Sequence, residues 1–81
     1  MSTRVAIIGV IIENPDSVNE LNNILHNYNQ YIIGRMGIPY PKKRVNVLSI
    51  AIDAKQDIIS ALSGKIGRIK GISTKTLYSK I

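Results

Sequence analysis

Two long aliphatic runs constrain this chain more than any other feature in it. Arg4 to Glu13 and Arg44 to Asp53 each read as a strand with two apolar faces. In the first, Val5, Ile7 and Ile11 share one face, while Ala6, Ile8, Val10 and Ile12 share the other. In the second, Val45 and Val47 alternate with Leu48, Ile50 and Ile52. A strand that is apolar on both sides belongs in the middle of a sheet, with something covering each face. At 81 residues the chain has the length of one domain, and that domain must find both covers.

The stretches between and after these runs predict one cover. Asn14-Pro15-Asp16-Ser17 carries turn and helix-start signals, with Ser17-x-x-Glu20 as a capping box. Val18, Leu21, Ile24, Leu25 and Tyr28 then recur at helical spacing, giving a helix to about His26 or Asn27. Tyr31 to Ile38 is rich in strand formers but interrupted by Gly34 and Gly37, as expected of a bulge or an edge strand. Pro39 to Lys43 makes the connecting turn. After the second aliphatic run, Asp53-x-x-Gln56 can cap another helix, in which Ile58, Ile59, Leu62, Ile66 and Ile69 keep phase up to a stop at Gly71. Ile72 to Lys80 alternates as a partly exposed last strand.

The order β-α-β-β-α-β over residues 1–81 is that of a single ferredoxin-like α+β sandwich. It predicts a four-stranded antiparallel-type sheet with two helices on one face, its first and third strands paired in parallel at the centre. The second face has no cover within the chain. A second copy of the sheet is the economical one, so a homo-oligomer, dimer or tetramer, is expected. The absence of cysteine points the same way. It excludes disulfides, thiolate zinc sites and thiol nucleophiles, and small domains without such staples commonly rely on association.

Charge speaks to partners. The formal net charge is +6, and Lys65, Arg68, Lys70, Lys75 and Lys80 follow one another without an intervening acid. A nucleic-acid module using Lys65, Arg68, Lys70 and Lys75 is therefore one possible reading. Gly64-Lys65-Ile66-Gly67 matches the G-x-x-G of KH loops, although a strand rather than a helix is expected after Gly71. Val5 to Ile12 is too short for a membrane span, and no small-residue cleavage site follows it as in a secretory signal, so a cytoplasmic protein without membrane contact is expected.

Catalytic chemistry finds little support. Glu13 and Asp53 end the two central strands, and a parallel pairing would bring them to one sheet edge as an acid pair or as helix-capping carboxylates. His26, the single histidine, falls on the solvent side of its helix and makes neither a triad nor a metal site. No enzyme activity, cofactor or metal is expected. Gly34-Arg35-Met36-Gly37-Ile38-Pro39-Tyr40 is the least ordinary segment. Its arginine can meet an anionic ligand or a neighbouring subunit, and its glycines can equally form a bulged edge that blocks unwanted pairing.

That segment, together with Ala61-Leu62-Ser63-Gly64-Lys65-Ile66-Gly67 and Gly71-Ile72-Ser73-Thr74-Lys75-Thr76, resembles the iron-only hydrogenase system regulator family over essentially the full chain. The family is similar in fold to ACT domains and to the carboxy-terminal domain of the nickel-responsive repressor. The resemblance implies dimers or tetramers and a regulatory role, transcriptional or within the hydrogenase system. The repressor's nickel site uses histidines and a cysteine, which this chain does not match, and three residues before the first strand leave no ribbon-helix-helix arm for DNA. ACT domains bind effectors near the first strand–helix turn, so the resemblance implies a small-molecule or protein-binding site there. The candidate ligand-binding residues are Glu13, Asn14, Asp16, Arg35, Met36 and Tyr40.

Overall fold

The computed structural model describes residues 2–80. Four strands carry the fold: β1 (Arg4–Ile12), β2 (Ile32–Tyr40), β3 (Val45–Ala54) and β4 (Ile72–Tyr78). Helix α1 (Val18–Asn27) links β1 to β2, and α2 (Gln56–Gly67) links β3 to β4. Short 3-10 turns at Pro15–Ser17, Asn29–Tyr31 and Pro41–Lys43 fill the connections. The element order is the one predicted, and the strand order in the sheet is β2-β3-β1-β4.

The two aliphatic strands lie at the centre, as their two-sided apolar pattern requires. Their direction differs from expectation. β1 and β3 run antiparallel, with Val5 opposite Asp53 and Ile12 opposite Asn46, and every other strand pair in the sheet is antiparallel as well. The reason is the connectivity. One helix between β1 and β2 returns the chain to the same direction, and the tight hairpin after Tyr40 reverses it before β3.

Period-two alternation separates the faces. Ala6, Ile8, Val10 and Ile12 of β1 and Leu48, Ile50, Ile52 and Ala54 of β3 are buried on one side. Against them pack Leu21 and Leu25 of α1, then Ile59, Leu62 and Ile66 of α2. Ile69 is buried too, but in the turn after α2, which ends earlier than its apolar phase suggested.

Neither predicted capping box forms. Ser17 precedes α1 without capping it; its hydroxyl, buried, donates to the Lys70 carbonyl at 2.6 Å and ties the two helix-bearing turns together. Asp53 remains inside β3, and Lys55 takes the position before α2. Gly71 is the stop expected. It adopts φ +77°, and a Cβ there would lie 2.5 Å from the Asn14 Cβ, so glycine meets both the backbone and the space requirement. β2 is an edge strand with a bulge between Ile32 and Gly34, as its glycines foretold. It runs on through Tyr40, further than predicted, because an edge strand can accommodate Pro39. Among the described residues no helix is long and apolar enough to cross a membrane.

Candidate functional site

The sheet face away from the helices is uncovered. The register places Val5, Ile7 and Ile11 of β1, Val47 of β3, Met36, Ile38 and Tyr40 of β2, and Leu77 of β4 on it. Apart from Ile33, beside the bulge, every exposed large apolar side chain among the described residues belongs to this face, from Ile11 at 38% exposure to Leu77 at 70%. Four strands about 4.8 Å apart and roughly 30 Å long give the whole face, which also holds Gly9, Ser49 and Ser73, a footprint on the order of 500 Å². A patch of this kind is the candidate interaction surface of the chain. Asp53 and Lys75 are the charged residues the register sets on it, one of each sign.

At the end of the sheet where Ile12 stands opposite Asn46 lies an open cleft of about 510 Å³, lined from both faces. Glu13, just past the end of β1, forms one wall. Tyr40, Arg44 and Asn46, from the β2–β3 hairpin, form the other. Pro15, Pro39 and Pro41 stiffen the surround because each fixes its own φ. Arg44 holds a left-handed backbone, φ 55° and ψ 39°, at the close of the Pro41–Lys43 turn. A non-glycine residue in that region carries local strain, and strain of this kind concentrates at functional sites. Among the described residues, the side chains of Glu13 and Arg44 have no hydrogen-bond or ion-pair partner. The cleft thus offers a carboxylate, a guanidinium, a phenol and an amide against proline walls.

The structure divides the six ligand candidates. Glu13 and Tyr40 meet in the cleft. Asn14 points elsewhere, its Oδ1 accepting from the Asp16 N–H at 3.0 Å, so this pair shapes the turn. Arg35 and Met36, adjacent in sequence, go to opposite faces. Arg35 lies on the helix side, where its guanidinium donates to Asn22 Oδ1 at 3.2 Å beside a smaller groove of about 250 Å³. Met36 lies on the open face, opposite Ser49. Arg44 and Asn46 were missed, since nothing in Lys42-Lys43-Arg44 distinguishes the residue that takes the left-handed position.

Other groupings also separate. Glu13 and Asp53 do not form a pair: Asp53 stands opposite Val5, roughly 25 Å along the strand from Glu13, because β1 and β3 are antiparallel. Gly64-Lys65-Ile66-Gly67 is the last turn of α2 rather than a loop, so it has no exposed backbone to clamp a phosphate. Lys65 instead sits 5.0 Å from the centre of the Tyr28 ring. Lys75 is on the open face while Lys65, Arg68 and Lys70 belong to α2 and the turn after it, in the helical layer. His26 is exposed in the last turn of α1. Among the described residues no three of His, Asp and Glu gather as a metal-holding group.

Comparison with known proteins gives this geometry a family. No curated protein matches the chain. The solved structure of uncharacterized protein TM1266 from Thermotoga maritima is similar to it at 29% identity and a TM-score of 0.93, covering 98% of this chain and 100% of that one. The model of the TM1266-like family, described as "Iron-only hydrogenase system regulator, putative", matches residues 4–76. The fold is shared over nearly the whole chain and the family model reaches all four strands and both helices: the chain belongs to the TM1266-like family of iron-only hydrogenase system regulators.

Proposed function

We propose that this chain is a non-catalytic regulatory domain. It joins a second copy through its open sheet face and reads a small effector in the cleft at the rim of that face. The observation that carries this is the segregation of exposed large apolar side chains onto one face of the sheet. Burying that face removes apolar surface from water at about 25 cal/mol per Å². The two charges on it, of opposite sign, do not oppose association as the chain's overall +6 would.

The effector follows from the cleft. Glu13 suits an ammonium or another donor and Arg44 suits a carboxylate, so a small zwitterion matches both. Because Tyr40 and Val45 belong to both the cleft and the open face, occupancy of one is linked to covering of the other. Regulation of transcription or of the hydrogenase system then proceeds through a partner that senses the assembly.

Light scattering and native mass spectrometry of protein from its own source test this together. A dimer or tetramer at micromolar concentration is expected, with a retained small molecule, and Ile7→Glu weakens the assembly. A wild-type monomer throughout that range overturns the face-to-face contact. The nucleic-acid alternative keeps Lys65, Arg68 and Lys70 in one layer. It predicts binding that falls steeply with salt, and no binding at low salt ends it.

A further inference from the structure

The smaller groove on the helix side of the sheet adjoins the effector cleft. Groove and cleft share Ile12, Pro39 and Asn46. These residues stand in one row across the sheet, Ile12 opposite Asn46 and Asn46 opposite Pro39. The row is a sill between two parts of one depression, and beyond it the groove follows β2 beside α1.

Side-chain chemistry changes along that path. Buried Leu21 and Leu48 and half-buried Val18 make the walls apolar. Gly37 leaves the hollow open, and a Cβ there would meet only Leu48 Cδ1, at 3.8 Å, so the space is not one the fold needs empty. At the far end Arg35 reaches to Asn22 of α1, donating to its Oδ1 at 3.2 Å. That single bond leaves the rest of the guanidinium fork open to an anion. Cleft and groove together thus present two guanidinium groups, Arg44 and Arg35, and one carboxylate, Glu13. Their complement is a ligand with two acids and one amine.

We infer that the effector is an α-amino acid whose side chain is an apolar stem ending in a second acid. Its ammonium and α-carboxylate meet Glu13 and Arg44, the stem crosses the row at Asn46, and the distal acid meets Arg35. This names the ligand class of the cleft and rests on the zwitterion reading of it.

Length and polarity select that class. From Pro39 to Arg35 the strand covers about 13 Å, so the ligand must be extended. A side chain as short as that of glutamate would leave its acid among the apolar walls, where an unpaired charge is costly. A peptide of the required length would set its amides against Leu21 and Leu48, which accept no hydrogen bond. An aliphatic stem meets neither penalty.

Calorimetric titration of the full chain with a graded series of amino acids tests this. The series runs from alanine through glutamate, α-aminoadipate and α-aminopimelate to α-aminosuberate, with neutral α-aminocaprylate as the control. Binding of α-aminosuberate is expected to be at least about tenfold tighter than that of glutamate or α-aminocaprylate. Arg35→Met is expected to abolish the advantage over α-aminocaprylate while leaving alanine binding unchanged. Gly37→Val has room for its Cβ and no positive φ to strain it. It is expected to weaken both long ligands by at least about tenfold and to spare alanine. Asn22→Ala is expected to keep the preference for α-aminosuberate; losing it there would make Arg35 a strut between β2 and α1 and overturn the contact. If alanine binds but α-aminosuberate binds no tighter than α-aminocaprylate, this inference falls and the zwitterion reading stands. Failure of every ligand to bind, alanine included, overturns both. An acidic dipeptide that binds more tightly than the whole series overturns the apolar stem.

Discussion

The two faces of the sheet are written by alternate residues of the same strands, and both are apolar, yet they have different fates. Ile8, Ile50 and Ile52 lie under the helices at 0% exposure, while Ile7, one position from Ile8, remains 44% exposed. Composition does not separate these residues. What separates them is that the two helices both come from connections on one side, so the chain has nothing left for the other. An apolar face without a cover signals association, whereas one with a cover signals a fold.

Substitutions can break or sharpen that contrast. The largest effect belongs to the covered face. Ile50→Ala leaves a cavity among residues that touch on every side and is expected to cost about 2–5 kcal/mol, measured by urea denaturation. A cost near that of an exposed position would mean the helices do not seal this face. Gly71→Ala comes next, on the order of 2 kcal/mol, since a Cβ meets both the positive φ and the Asn14 side chain. Its thermal midpoint should fall clearly, with the assembly otherwise native.

Ser17→Ala removes the hydrogen bond from the buried Ser17 hydroxyl to the Lys70 carbonyl, at about 1 kcal/mol. That tests how firmly the helix-bearing turns are held together. The smallest effect on the isolated fold is expected on the open face: Ile7→Thr should stay within about 0.5 kcal/mol when unfolding is measured on monomer. The same variant should shift the association equilibrium toward monomer in sedimentation. Equal sensitivity of Ile7 and Ile50 in monomeric protein would erase the contrast between the faces.

Much of the fold was legible because hydrophobic period carries it. The two-sided runs placed β1 and β3 at the centre, the Leu21–Leu25 stripe placed α1, and the glycines of the third segment marked β2 as a bulged edge. Capping motifs were less dependable. Ser17-x-x-Glu20 and Asp53-x-x-Gln56 have the right residues, but a tertiary hydrogen bond claims Ser17, and strand pairing with Val5 claims Asp53.

The candidate site was half legible. Glu13 and Tyr40 were found through turn and segment character, whereas Arg44 and Asn46 enter the cleft because the β2–β3 hairpin folds back beside the end of β1. No local pattern reports a contact between residues thirty positions apart.

By itself, then, the sequence determined the number and order of elements and the demand for a cover on both faces of the central strands. These follow from periodicities of 2 and 3.6 that any short window displays. Tertiary structure decided the antiparallel direction of β1 and β3, which parted Glu13 from Asp53 and set Arg35 and Met36 on opposite faces. It also decided which apolar face the helices take. Strand direction and helix side arise from how connections cross the sheet, a property of the whole chain that no single window contains. The two aliphatic runs therefore demanded two covers, and the fold supplied one.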